Sequence, residues 1–192
     1  MSKEKKKIVI FASGEGSNAE NIMNHFEDHN QIQVSLLISN NPDSGALDKA
    51  VKKNIPIIIL DRKEFFSNDA IIKFMTNEKI DLITLAGFLW LIPEKLVKAF
   101  SDKIINIHPA LLPKHGGKGM FGMNVHKAVL EVKEKESGIT IHYVNENFDE
   151  GKIIAQKKCP VSPEDTPESL AIKVRRLEHE WYPKIIEQVL FK

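Results

Sequence analysis

The chain has 192 residues, of which 42% are hydrophobic and 28% charged. That is enough chain and enough apolar content for a globular unit with a sizeable core, and it excludes a disordered polymer. Lys and Arg total 27 against 26 Asp and Glu, a net charge of +1, so nothing in the balance calls for nucleic acid or an anionic membrane surface. The single cysteine, Cys159, excludes an intrachain disulfide and fits a reducing cytoplasm.

In chain order, the basic run Lys3–Lys7 reads as a short solvated tail. Ile8–Ala12 is too short for a signal peptide and reads as a first strand. Further strands are expected at Val34–Ser39, Ile57–Leu60, Leu82–Ala86 and Lys103–Ile107. Helical periods cover Ala19–His29, Ala46–Lys53, Asp69–Glu78 and Asn124–Lys135. Apolar strands alternating with helices predict right-handed βαβ units and a parallel sheet. Ile139–Val144 and Lys152–Val161, joined by Asn145–Gly151, read as a hairpin-type pair that adds antiparallel character. Thr166 is a candidate N-cap with Pro167 at the first helical position, and Leu170, Val174, Leu177 and Trp181 then mark a closing helix. The expectation is one α/β domain over residues 1–192, with a mostly parallel sheet flanked by helices.

Four segments carry candidate chemistry. Ser13-Gly14-Glu15-Gly16-Ser17-Asn18 lies between the first strand and the first helix. Glycines there bring backbone N–H groups close to a ligand, and the helix N-terminus adds a positive dipole. The loop reads as a phosphate cradle, with ordinary βα capping as the alternative. Its loose dinucleotide fingerprint lacks the acidic ribose partner, because the second strand ends in Ser39-Asn40-Asn41-Pro42. Leu85–Pro93 stays apolar long past the fourth strand and either packs as core or forms an apolar ligand wall.

In Ile105-Asn106-Ile107-His108-Pro109, the polar pair alternates with isoleucines, so an amide and an imidazole share one face at a strand end. Such a pair can hold a developing oxyanion and move a proton. His142 shares a face with Thr140 and reads on its own as a structural histidine, while Asp149 before Gly151 reads as turn chemistry unless the loop folds back on His108. Lys114–Gly122, with four glycines, is a lid or a flexible connector. No His, Cys or carboxylate spacing requires a metal.

Taken in order, Ser13-Gly-x-Gly-Ser-Asn18, Leu85-Ala-Gly-Phe88, Asn106-Ile-His-Pro-x-Leu-Leu-Pro113, His142 and Asp149-x-Gly151 resemble the phosphoribosylglycinamide formyltransferases, the folate-dependent enzymes of purine synthesis. The resemblance runs from about Lys7 to the final helix. It implies a Rossmann-like formyltransferase fold in the cytoplasm. It also implies transfer of the formyl group of 10-formyltetrahydrofolate to the amine of glycinamide ribonucleotide, through a tetrahedral intermediate and without a metal. By resemblance, Asn106 and His108 stabilise the oxyanion, His108 donates a proton, and Asp149 pairs with His108, raises its pKa and orders a relay water. Gly16, Ser17 and Asn18 would hold the substrate phosphate and Glu178 its ribose. The pterin would lie against Leu89, Trp90, Leu91 and Ile92, beside Asn106 and the loop Asn145, Glu146, Asn147, Phe148 and Asp149. The implied partners are these small molecules, with no nucleic acid and no membrane, and the chain acting as a monomer or homodimer.

Three departures stand out. Trp90 occupies the place where many relatives carry arginine, the Gly116–Gly122 loop is longer, and the residue meeting the folate glutamate tail is either Arg62 or Lys63. Sister enzymes that share the Asn-x-His…Asp core would need a further domain, C-terminal in methionyl-tRNA formyltransferase and N-terminal in formyltetrahydrofolate deformylase. From another class, a non-catalytic nucleotide-binding module or a nicotinamide oxidoreductase is the competing expectation.

Overall fold

The computed structural model describes residues 4–192. The first strand, β1 (Lys6–Phe11), carries Ile8, Val9, Ile10 and Phe11, all with no solvent exposure. A strand apolar on both faces has to be covered on both. Ile8 and Ile10 enter one core cluster with Ala12, and Val9 and Phe11 enter another on the opposite face. The order that follows is α1 (Ser17–Phe26), β2 (Ile32–Ser39), α2 (Gly45–Lys52), β3 (Ile57–Ile59), α3 (Arg62–Ser67), α4 (Ala70–Asn77) and β4 (Leu82–Leu85). Then come α5 (Glu94–Ala99), β5 (Ile104–His108), α6 (Met123–Glu131), β6 (Glu136–Tyr143), β7 (Ile153–Pro160) and α7 (Pro167–Leu190).

The seven strands form one sheet in the order β3-β2-β1-β4-β5-β6-β7. β1 to β5 pair in parallel, while β6 runs antiparallel to β5 and β7 antiparallel to β6. The chain steps outward from β1 to β3 and returns on the other side of β1 as β4. Open α/β sheets bind ligands at such a reversal, beyond the carboxyl ends of the strands. Here the two loops at that place are tied together. The Ser13 N–H donates to the Gly87 carbonyl at 3.1 Å, and the Leu89 N–H donates to Ser13 Oγ at 2.9 Å.

The predicted strands, the four predicted inner helices and the antiparallel end of the sheet are all present. Thr166 caps α7 as expected, its side chain accepting from the Ser169 N–H at 3.2 Å, with Pro167 in the first turn. The structure adds two six-residue helices, α3 and α5. Each is shorter than two turns, too short to display a periodicity; Asp61 starts α3 by accepting from the Glu64 N–H at 2.9 Å. The basic run is not wholly a solvated tail. Lys3 lies outside the described residues, but Lys6 and Lys7 belong to β1, and the carboxylate of Asp81 takes both the Lys6 ammonium and the Lys7 N–H, each at 2.8 Å. No helix among the described residues is long and apolar enough to cross a membrane.

α7 is fixed to the sheet by Tyr182, which has no solvent exposure. Its hydroxyl donates toward the carbonyls of Leu85, at 2.9 Å, and Ile105, at 3.2 Å. That contact sets the distance of α7 from the ends of β4 and β5. Replacing Tyr182→Phe leaves both carbonyls without the phenol and should cost about 1–3 kcal/mol. Urea denaturation of the variant measures this, and an unchanged unfolding free energy would refute the anchoring role.

Candidate active site

The antiparallel register of β5 and β6 sets Asn106 opposite His142 and His108 opposite Thr140. These four side chains stand on the same side of the sheet. The Thr140 hydroxyl donates to the Ala110 carbonyl at 2.7 Å and accepts from the Leu112 N–H at 3.0 Å, which turns the chain sharply after Pro109. His142 is buried and donates from Nδ1 to the Tyr143 carbonyl at 2.8 Å. Its Nε2 therefore accepts, and Asn106 Nδ2 supplies the proton at 3.1 Å. The second N–H of Asn106 makes only a long contact to Asp149 Oδ1, at 3.4 Å.

Asp149 closes this group from the β6–β7 loop. It holds a left-handed backbone, φ 58°, a conformation Asp tolerates better than most residues. Two residues on, Gly151 runs against the Tyr143 carbonyl so closely that any Cβ would overlap it. The folded-back loop directs the Asp149 carboxylate at both histidines: Oδ2 is 3.5 Å from His108 Nδ1, and Oδ1 is 3.7 Å from His142 Nε2. The Gly117 N–H also donates to Oδ2, at 2.9 Å. Burial pushes the Asp149 carboxyl up, but the adjacent His142 and His108 rings and the Gly117 N–H outweigh it and leave its pKa below the ordinary value.

His108 is 3% exposed, and its Nε2–H donates to the His115 carbonyl at 2.8 Å. Burial lowers its pKa, while the Asp149 carboxylate and the His115 carbonyl pull the other way, and burial prevails. The Asp149 carboxylate thus raises the His108 pKa, the direction the resemblance implies, but desolvation is larger and the net shift is downward. Geometry agrees. A separation of 3.5 Å is longer than a charge-assisted hydrogen bond, as suits a bare Nδ1 lone pair facing a carboxylate. A proton gained at Nδ1 would find acceptors at both ring nitrogens.

This group opens into a cleft of about 990 Å³. One end is the β1–α1 loop. Gly16 has φ 77°, and a Cβ there would meet the Cα and Cβ of Ala46 at 2.6 and 2.5 Å, so only glycine fits. Ser17 and Asn18 follow as the first residues of α1, where backbone N–H groups have no helical partner. The side wall comes from α7, which presents Ala171, Val174, Arg175 and Glu178, one helical face by their spacing. The Glu178 carboxyl is half-buried in this wall. Burial raises its pKa to about 7 against the opposing pull of the Asn18 amide and the Arg175 charge.

The opposite wall is apolar: Leu89, Trp90, Leu91 and Ile92 after β4, with Asn147 and Phe148 from the β6–β7 loop. Arg62 from α3 lies over the Trp90 ring at 5.2 Å and over Phe66 at 5.6 Å. The long glycine loop, Gly117–Gly122, lines the cleft near α6. Most of the residues singled out from sequence therefore surround one space. Asn145 and Glu146 do not line it; the Asn145 side chain instead accepts from the Asn147 N–H at 3.1 Å, within its own turn. Of the two basic candidates only Arg62 reaches the wall. Sequence reasoning missed Arg175 and His126, which lie on helix faces turned to the cleft, and it underrated His142. Among the described residues, no three His, Cys, Asp or Glu side chains are grouped so as to hold a metal ion.

Comparison with known proteins agrees with this architecture. A family model described as formyl transferase matches residues 6–186. The phosphoribosylglycinamide formyltransferase of Bacillus subtilis is 37% identical over 190 residues, covering 96% of this chain and 95% of that protein. The chloroplastic enzyme of that name from Arabidopsis thaliana is 41% identical over 95% of the chain, which spans 64% of the plant protein's length. A crystal structure of the Bacillus halodurans phosphoribosylglycinamide formyltransferase superposes with a TM-score of 0.86 at 35% identity, covering 97% of this chain and 96% of that one. The strand order, the cleft at the sheet reversal and these matches agree: the chain belongs to the formyl transferase family.

Proposed function

We propose that the chain is a single formyltransferase domain that moves the formyl group of 10-formyltetrahydrofolate to the amine of glycinamide ribonucleotide, giving formylglycinamide ribonucleotide and tetrahydrofolate. The observation that carries this reading is the grouping of Asn106, His108, His142 and Asp149 between an anion cradle and an apolar wall of one cleft. Gly16, Ser17 and Asn18 hold the phosphate through first-turn N–H groups, and Glu178 takes the ribose hydroxyls. The pterin lies against Leu89–Ile92 and Asn147–Asp149, and Arg62 meets the glutamate tail. Bound folate supplies the activated formyl group.

The residues of the chain have three tasks. The loosely held second N–H of Asn106 faces the oxygen on which negative charge develops, a preorganised donor of a kind worth about 3–4 kcal/mol, and the charge that His108 gains during the reaction adds to that stabilisation. His108, neutral before the reaction, takes the proton that the attacking nitrogen sheds. The Asp149 carboxylate and the His115 carbonyl hold the resulting imidazolium, one at each ring nitrogen. The same proton then passes to the leaving nitrogen, so His108 ends as it began. No side chain has to bond covalently to the formyl carbon.

Three outcomes test these roles. His108→Ala and Asp149→Asn should each lower kcat by about 10²–10³ with unchanged circular dichroism; near-normal turnover in either would remove that residue from the mechanism. Asn18→Ala should raise KM for glycinamide ribonucleotide more than it lowers kcat, since the phosphate is remote from the reacting carbon. The third concerns pH. The Glu178 pKa rises from 4.5 unfolded to about 7 folded. The folded state thus binds more protons between those values, and stability falls as pH rises through that window, by on the order of 3 kcal/mol at most. Denaturation from pH 4 to 8 should show a downward trend that Glu178→Gln flattens; equal slopes in both proteins would contradict the raised pKa.

A further inference from the structure

We propose that His126 is a substrate-contacting residue that recognises the amide of the glycinamide arm, its Nε2–H donating to the amide carbonyl oxygen. The inference rests on the substrate assigned above. His126 lies on α6 in the buried stripe of Val125, His126 and Val129, and it is 5% exposed. It nevertheless forms part of the cleft wall. Its Nδ1 is closed off from solvent and has no hydrogen-bond partner among the described residues. Buried polar atoms without partners are uncommon and call for a reason. A lone pair is cheaper to leave unpaired than an N–H, so the ring proton belongs on Nε2.

Position narrows the ligand. Burial, then the Arg175 guanidinium and the neighbouring His108 ring, hold the His126 pKa below its ordinary value. The ring is therefore neutral, and both Arg175 on the α7 wall and His108 are near enough to act on it. A substrate with its phosphate at Gly16–Asn18, its ribose at Glu178 and its amine at His108 has to span the interval between the last two with the amide linking ribose to glycine. A neutral imidazole N–H suits an amide carbonyl and adds no charge that would compete with the Gly16–Asn18 loop for the phosphate. A desolvated donor matched to one acceptor also rejects analogues lacking it.

The test compares His126→Leu and His126→Gln with the wild-type enzyme. Leucine should raise KM for glycinamide ribonucleotide by about tenfold, with kcat and the folate KM within about twofold, as for binding shared by ground and transition states. Glutamine, which keeps an N–H donor, should recover most of the loss. Ribose 5-phosphate has the phosphate and sugar without the amide, so its inhibition constant should not move in His126→Leu. An unchanged substrate KM, or an equal rise in the ribose 5-phosphate constant, would overturn the assignment. Should the leucine variant fold poorly, ¹⁵N spectra of the wild-type ring still decide. The His126 nitrogens should shift with glycinamide ribonucleotide but not with ribose 5-phosphate, and the reverse or no response refutes the contact. If the wild-type enzyme fails to formylate glycinamide ribonucleotide, the substrate reading falls and the His126 assignment with it, whereas normal wild-type turnover with an unchanged variant KM overturns the His126 assignment alone.

Discussion

The structure of the site depends on the Asp149 carboxylate. It accepts the Gly117 N–H from the glycine loop, makes a longer contact with Asn106 on β5, and faces His108 and His142 within 3.7 Å. One ionised group thereby connects three segments that are distant in sequence. Its low pKa comes from the groups around it, and the lowered pKa of His108 comes from burial, against the pull of the Asp149 charge. The pair is held apart, as an ionised acid and a neutral base, and becomes a close ion pair only when a proton enters. In the proposed mechanism, that arrangement makes His108 a base of transient use and leaves it poised for each turnover.

The sheet exists, functionally, to bring that pair to the place where two loops meet. The reversal between β1 and β4 creates the crevice, and Ser13 bonds both Gly87 and Leu89 across it. Tyr182 then fixes α7 against the carboxyl ends of β4 and β5, with Glu178 one turn before it. The β1–α1 glycine loop, the α7 wall and the apolar wall are each attached to neighbouring strand ends, so their spacing is set by backbone pairing rather than by flexible side chains. Trp90 holds a charged partner at the apolar wall. Arg62 stacks over its ring, so a guanidinium reaches the same wall from α3.

Much of this was legible in the sequence because parallel strands buried on both faces read as unbroken apolar runs. Ile8–Ala12 and Leu82–Ala86 showed themselves that way, and the alternation of Asn106 and His108 with isoleucines marked a shared face. The short helices α3 and α5 were not legible, since six residues hold too little periodicity. The neighbours of His108 were hidden for another reason. Asp149 arrives through a left-handed turn and a close backbone approach at Gly151, and His142 arrives through the β5–β6 register. Both are non-local, and only resemblance suggested the first. Arg175 could have been found: it shares with Val174 and Glu178 the face of a helix whose start was already marked by Thr166.

The central claim is that this cleft passes a formyl group from a folate to a small amine. Mixing the purified protein with 10-formyltetrahydrofolate and glycinamide ribonucleotide, then following the nucleotide by mass spectrometry, tests it most directly. The account predicts that the nucleotide gains the mass of one formyl group as an equal amount of tetrahydrofolate appears. A protein that binds both compounds and yields free formate, or no product at all, would contradict it.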